Sequence, residues 1–264
     1  MYSVHKENKK GKAVILSDLH LGYDEQNQKT IKRLMPIIDY CDKHNIPVIL
    51  LGDIFECNTL SSLNRFGITA TTQLNNIFDM FKKVFGKLVK KKLIDLIVSG
   101  NHEKRIIKVG NYDILETLCK ELDIDYSEKG CVLVYRVGNY VYILALAHGT
   151  KGSPSDEEGA LRQVRKLLRN VENADGYIMG HFHKTGIIPF NVLRVDARNR
   201  KINSVRKFLV SVAPSIGYEG TYVEDSVGSI PSHLPVMLSM EGHKHKTRSF
   251  FVSYLNLDND RKGM

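Results

Sequence analysis

A chain of 264 residues has the length for one large or two small domains and for a sizeable buried core. With 42% hydrophobic and 25% charged residues it is no fibrous, collagen-like or disulfide-scaffold sequence, and its longest apolar run, residues 140–147, falls far short of a membrane-spanning helix. Lys and Arg (38) exceed Asp and Glu (29) by a formal net charge of +9, which favours polyanionic partners such as nucleic acid or an anionic surface. Residues 1–12 lack the apolar stretch of a secretory signal, and Cys41, Cys57, Cys119 and Cys131 show no CxxC spacing, so a reducing cytoplasm is the expected compartment.

In chain order, residues 13–17 read as a buried strand. Residues 29–43 follow with helical spacing (Ile31, Leu34, Ile37, Ile38, Cys41), Pro36 predicting a kink or a late start. A second strand at 47–51, two helical stretches within 60–91 and a third strand at 93–99 complete a βαβαβ pattern, which implies a parallel sheet. Residues 131–137 and 140–147 then flank Gly138-Asn139 as a tight hairpin. A helix at 156–171, a short strand at 176–179 and strands at 207–212, 236–240 and 249–255 follow. Hairpin strands arriving after a parallel half predict two sheets packed face to face with helices outside. No repeat or Pro/Gly/Ser-rich linker divides the chain, so a single domain over 1–264 is expected, with 185–264 completing the second sheet and carrying substrate-side loops.

Ligands in open α/β sheets gather beyond the carboxyl ends of strands, and here those ends are rich in metal-capable residues. Asp18-Leu19-His20 follows the first strand, where the two-residue period of an extended segment would aim Asp18 and His20 at one point. Gly52-Asp53-Ile54-Phe55-Glu56 follows the second and Gly100-Asn101-His102-Glu103 the third. His148-Gly149 and Gly180-His181-Phe182-His183 follow two later strands. Each block alone is weak, since Gly-Asp is usually a turn and Asn-His a helix cap. Together they hold five of the ten histidines, which chance does not produce.

On these five blocks, across residues 14–184, the sequence resembles the calcineurin-like metallophosphoesterase superfamily, with its pattern D-x-H, G-D, G-N-H-[DE], H and G-H-x-H. The resemblance implies a four-layer α/β/β/α sandwich of two mixed sheets flanked by helices, carrying two adjacent divalent metal ions. Residue by residue, it implies that Asp18, His20, Asp53 and His183 hold one metal and Asp53, Asn101, His148 and His181 the other, with Asp53 shared. Mixed carboxylate, imidazole and amide-oxygen donors suit Mn²⁺ first, with Fe or Zn²⁺ as alternatives, and no cysteine sits in a motif. The reaction implied is attack of metal-activated hydroxide on phosphorus, with His102 binding the phosphoryl oxygens or protonating the leaving oxygen and Glu103 orienting His102.

The motifs leave the substrate open. Gly52-Asp53-Ile54-Phe55-Glu56 is similar to SbcD-type repair nucleases and to lipid-precursor hydrolases, which generally carry Arg in place of His102; the Asp-Arg-Gly of Ser/Thr protein phosphatases is missing. Several features lean toward DNA or RNA. Lys104, Arg105 and Lys108 follow the His102 block, and Lys82, Lys83, Lys87, Lys90, Lys91 and Lys92 make a basic helix end. Arg194, Arg198, Arg200, Lys201, Arg206 and Lys207 come after His183, and residues 243–248 add another basic segment. Positive charge clustered around one site fits phosphate-backbone contact. The stretch 213–235 resembles substrate-side loops of nuclease-like members, including bacteriophage ones, with Tyr218 and Tyr222 placed to stack on bases. The expectation is a dinuclear-metal phosphodiesterase acting on nucleic acid. Phosphomonoesterase activity on a nucleotide or another small phosphate ester is the alternative, and a protein-binding scaffold is disfavoured because every expected ligand is present. An ATPase partner is not inferred.

Overall fold

The computed structural model describes residues 2–22, 24–57, 75–149, 154, 156–212, 235–242, 248–255 and 257. In chain order the strands are β1 (Tyr2–Glu7), β2 (Lys12–Leu16), β3 (Val48–Leu51), β4 (Ile94–Val98), β5 (Tyr126–Ser127), β6 (Cys131–Val137), β7 (Tyr140–Ala147), β8 (Gly176–Met179), β9 (Gly186–Asp196), β10 (Lys201–Ser211), β11 (Val236–Gly242) and β12 (Arg248–Tyr254). The helices are α1 (Asp24–His44), α2 (Asn75–Lys90), α3 (Glu103–Gly110), α4 (Ile114–Leu122) and α5 (Glu157–Val164), the last continued by a 3₁₀ turn at Arg165–Arg169. The two strands of the expected hairpin and the strand at Gly176–Met179 have the predicted bounds. Helix α1 begins earlier than its apolar spacing suggested and runs through Pro36.

Two six-stranded sheets result. The first has the order β12-β11-β2-β3-β4-β5, with β2 to β5 parallel, as the βαβαβ pattern implies. The second has the order β1-β6-β7-β8-β10-β9, in which β7, β8 and β10 are parallel neighbours. Strands β2, β3 and β4 are buried on both faces, so their side chains divide with period two into two separate cores. Val14, Leu16, Val48, Leu50 and Ile97 face outward onto Leu34, Ile38, Phe81, Phe85, Leu88 and Leu118 of α1, α2 and α4. Ala13, Ile15, Ile49, Leu51, Leu96 and Val98 face inward onto Leu133, Tyr135, Leu144, Leu146, Ile178 and Val210 of the second sheet. A third core packs Leu161, Val164 and Leu167 of α5 and its 3₁₀ turn on Ala145, Tyr177 and Leu209. These three apolar layers separate four layers of structure, α/β/β/α.

Three strands went unread in the sequence. Strand β1 buries Val4 and survives as an edge by parallel pairing with β6. Strand β5 is two residues long. Strand β9 contains Pro189 and is mostly polar or exposed, the composition of an edge strand, where a missing N–H costs no ladder bond. Residues 185–264 also do more than complete the second sheet: β9 and β10 close that sheet, whereas β11 and β12 extend the first through antiparallel pairing of β11 with β2. Among the described residues, no helix is long and apolar enough to cross a membrane.

Candidate metal centre

The chain leaves β2, β3, β4, β7 and β8 at one rim of the sandwich, and the five motif blocks are the connections that start there. They do not continue the strands. Asp18, His20, Asp53, His181 and His183 all have positive φ, between 46° and 76°, so the extended alternation expected for Asp18 and His20 is replaced by left-handed turns. The turns are fixed by backbone bonds between loops, from Asp18 N–H to Gly52 O (3.0 Å), His20 N–H to Asp53 O (2.9 Å) and Leu21 N–H to Ile54 O (2.8 Å). Close approach also explains two motif glycines. A Cβ on Gly100 would lie 2.0 Å from Asp53 Oδ1, and one on Gly52 would lie 2.5 Å from the His148 ring.

The side chains converge in three overlapping groups. Asp18, His20 and His183 bring one donor atom each within 4.8 Å of one another, and so do Asp53, His148 and His181, and His20, Asp53 and His102. Asp53 joins the groups, its Oδ2 standing 3.2 Å from His148 Nε2 and 3.9 Å from His20 Nε2. His183 Nε2 is 3.4 Å from Asp18 Oδ1, and Asn101 Oδ1 is 3.1 Å from His148 Nε2. Two donors each about 2.0–2.2 Å from one ion are themselves roughly 3–3.5 Å apart, so these separations fit shared cations. All seven expected ligands therefore meet at one centre, with Asp53 at its middle.

Imidazole orientation is set from behind. His148 Nδ1–H donates to Leu51 O (2.7 Å) and His20 Nδ1–H to Glu56 Oε2 (2.7 Å), which leaves each Nε2 facing the centre. The carboxylates are held as well: Asp53 Oδ1 accepts the His102 N–H (2.9 Å), and Asp18 Oδ2 accepts from Ser17 Oγ and from the His181 N–H (3.1 Å). Burial by itself would raise the Asp18 carboxyl, but the His183 hydrogen bond and the charges of His148 and His183 hold it at about 2. Burial is outweighed in the same way at Asp53, which stays well below the usual carboxylate range. Burial disfavours a charged His148, yet Asp53 pushes it up to about 10. Carboxylates and imidazoles at the centre thus hold one another in their charged forms against the cost of burial.

His102 also enters this space, its Nε2 3.8 Å from Asp53 Oδ2 and its ring 4.4 Å from that of His20. Its Nε2 accepts a hydrogen bond from Arg105 Nη2 (2.8 Å). Burial and that guanidinium disfavour a charged ring, but Asp53 and Glu56 outweigh them and raise its pKa. Its Nδ1–H donates to Glu56 O (3.0 Å). His102 therefore brings its donor atom within 4.8 Å of those of His20 and Asp53, with Arg105 attached.

Glu103 corrects one expectation. Its carboxylate oxygens accept the N–H groups of Phe55 and Gly100, both at 2.9 Å, so it ties the Asp53 loop to the Asn101 loop and does not touch the His102 ring. The carboxylate that meets His102 is Glu56, at 3.3 Å from Nδ1, and it holds His20 as well. Glu56 stands in the quoted motif three residues after Asp53, but nothing in the sequence shows that the loop turns it back toward two histidines from other strands.

The basic residues divide. Arg105 is at the centre, and Lys104, half-buried beside it, has its ammonium pKa lowered chiefly by burial. Lys82, Lys87, Lys91 and Lys92 lie toward the opposite rim, where α2 ends before β4 begins, and pair with Glu121, Asp39, Asp42 and Asp123. Lys207 is buried, donating to Glu172 O (2.6 Å) and Ala174 O (2.7 Å), and Arg248 is bound to Asp175 (2.7 Å). Arg194, Arg198, Arg200, Lys201 and Arg206 belong to the β9–β10 hairpin, which starts beside His183 and runs away from the centre. At about 3.3 Å per residue, Arg194 is roughly 25 Å along it. Among the described residues, the expected ring of positive charge thus reduces to Arg105 and Lys104, with Lys108 exposed in the last turn of the same helix. Tyr218, Tyr222, the rest of 213–234 and residues 243–247 lie outside the described residues.

A family model described as calcineurin-like phosphoesterase matches residues 11–185. No curated protein sequence is significantly similar to the chain. Among solved structures, a conserved uncharacterized protein and predicted phosphoesterase from Streptococcus pneumoniae TIGR4 is similar at 14% identity and a TM-score of 0.41, covering 94% of this chain and 90% of that one. Vps29 of Chaetomium thermophilum is similar at 11% identity and a TM-score of 0.33, covering 94% of this chain and 97% of that one.

Proposed function

The chain belongs to the calcineurin-like phosphoesterase family of metal-dependent hydrolases, and on that premise we propose that it is a two-metal phosphodiesterase acting on nucleic acid. The observation that carries the two-metal part is the meeting of two donor groups at Asp53: Asp18, His20 and His183 on one side, His148 and His181 with Asn101 on the other. This mixture of imidazole and oxygen donors without thiolate suits Mn²⁺ first, with Fe or Zn²⁺ as alternatives. When bound, such ions supply Lewis acidity toward phosphoryl oxygens and acidify a water toward neutral pH.

The chain's own residues do the rest. Asp53 supplies the shared negative charge. His102 is anchored through Nδ1, so Nε2 is the atom from which a proton reaches the leaving oxygen once substrate takes the place of the Arg105 contact. Arg105, 3.7 Å from the Glu56 carboxylate, then presents its guanidinium to a phosphoryl oxygen. The net charge of +9 supports a polyanionic substrate over a small monoester.

The test is Mn²⁺-dependent hydrolysis of bis-p-nitrophenyl phosphate and p-nitrophenyl phosphate beside labelled single- and double-stranded DNA and RNA, with Asp53→Asn as the control. Cleavage of the diester and of a nucleic acid, lost in the variant, supports the reading. Turnover of the monoester alone moves the protein to the phosphomonoesterases, and metal binding with no turnover of any ester moves it to a scaffold.

A further inference from the structure

Strands β9 and β10 pair along eleven residues each, but β10 is bonded to β8 only from Phe208 to Ser211. Residues 191–206 therefore form a two-stranded ribbon that continues past the paired part of β8, and no strand among the described residues joins its β9 edge. Its composition is lopsided: Arg194, Arg198, Arg200, Lys201 and Arg206 stand against the single carboxylate of Asp196. Asp196 is already occupied, accepting from the Asn199 N–H (3.0 Å) and side-chain amide (2.8 Å).

All five cations are exposed, and none forms an ion pair with a carboxylate among the described residues. Lys82 and Lys87 of α2 and Lys91 just beyond it differ, each pairing with an acidic neighbour. Unneutralised charge held on a rigid ladder is a device for contacting a polyanion, because self-repulsion without a partner stabilises nothing. The ribbon also leaves Leu193, Val195 and Ile202 exposed at 68%, 74% and 67%, with Val195 directly opposite Ile202 on one face. Two strands about 4.8 Å apart are narrow enough for the roughly 12 Å major groove of duplex DNA, where such side chains meet thymine methyl groups.

We propose that the β9–β10 ribbon is a binding arm for duplex DNA, its five cations contacting phosphates from about 16 Å along the ribbon, at Arg206 opposite Asn191, outward past Arg194 at about 25 Å, by the strand rise of about 3.3 Å per residue. The inference rests on the nucleic-acid reading of that centre and locates the surface that would hold the substrate while the metal site cleaves it.

The test compares the wild type with the triple variant Arg194→Ala, Arg198→Ala, Arg200→Ala, each combined with Asp53→Asn to prevent cleavage, by fluorescence anisotropy on a 24-base-pair DNA duplex at several salt concentrations. Loss of three phosphate contacts lowers the slope of log affinity against log salt by about 2.7, so the arm-intact protein loses about 40-fold more affinity than the triple variant between 50 and 200 mM salt. The triple variant with Asp53 intact keeps its Mn²⁺-dependent hydrolysis of bis-p-nitrophenyl phosphate. Equal affinity and equal salt slope in the two proteins overturn the arm while leaving the metal centre's assignment standing, and absence of diester hydrolysis in the wild type overturns the centre's assignment instead. If Leu193→Lys splits a dimer in sedimentation without altering DNA affinity, the ribbon is a contact between copies of this chain and the proposal is wrong.

Discussion

Replacing Glu103 by Gln tests what joins the metal-binding loops. Glu103 is fully buried, and its two oxygens divide between the N–H groups of Phe55 and Gly100 at 2.9 Å each. Gln keeps the shape but offers one oxygen and one NH₂ group, so one of the two backbone donors faces another donor where water does not reach. An unmet buried amide costs about 1–3 kcal/mol, and loss of charge assistance on the surviving bond costs about 1 more. The expected destabilisation is about 2–4 kcal/mol, which for a chain of this size lowers Tm by about 4–16 °C. Differential scanning fluorimetry in EDTA reads this without any contribution from bound metal. A Glu103→Gln protein melting within about 2 °C of the wild type, with kcat alone reduced, would refute the clamp and restore the role of orienting His102.

Asp53→Asn removes the carboxylate that lies between His20 and His148, and calorimetric titration with Mn²⁺ should show both binding events weakened together with loss of turnover. Loss of a single event would mean that Asp53 is not shared. His102→Ala should lower kcat on the diester by about 10²–10⁴-fold with the Mn²⁺ isotherm largely kept, and disappearance of metal binding would make His102 a ligand. Glu56→Gln withdraws the charged partner of His20 Nδ1 and should weaken metal binding by about 10–100-fold; an unchanged isotherm would show that the 2.7 Å contact is incidental. Gly100→Ala puts a methyl 2.0 Å from Asp53 Oδ1 and should abolish metal binding even where the protein still folds, as circular dichroism would report.

The ligands were legible because the parallel strands advertise themselves. Apolar runs such as Val48–Leu51 end abruptly in Gly-Asp or Gly-Asn, and a reader who knows where a strand stops knows which residue stands at the rim. The reading failed one step later. Side-chain alternation describes a chain that is still extended, whereas Asp18 and His20 sit in left-handed turns dictated by bonds to Gly52 and Asp53, whose proximity is a property of the folded sheet alone. The sequence assigns Glu56 no role and Glu103 the wrong one for the same reason, since His20 and Phe55, which they hold, are 36 and 48 positions away. The basic clusters failed differently. Sequence order places residues 194–207 next to His183, but a strand leaving the rim carries its charge away from it, and only the antiparallel register of β9 on β10 shows that direction.

Left-handed backbone at Asp18, His20, Asp53, His181 and His183 disfavours each loop by roughly 1–2 kcal/mol relative to relaxed alternatives. Such conformations persist only where the surroundings determine them more strongly than local preference does. The surroundings here are strands buried on both faces, with Val14 to Leu16, Val48 to Leu51 and Leu96 to Val98 showing no exposed surface. A core of that kind resists displacement by even a methyl group, so the loops leaving it start from fixed points and have few places to go. Carboxylates and imidazoles that would repel or relax apart in a flexible chain are thereby kept a few ångströms from one another. The fold's stability is spent on holding ligands in place before any ion arrives, which is why the metal ligands sit at the rim of the most deeply buried strands and not on the ribbon.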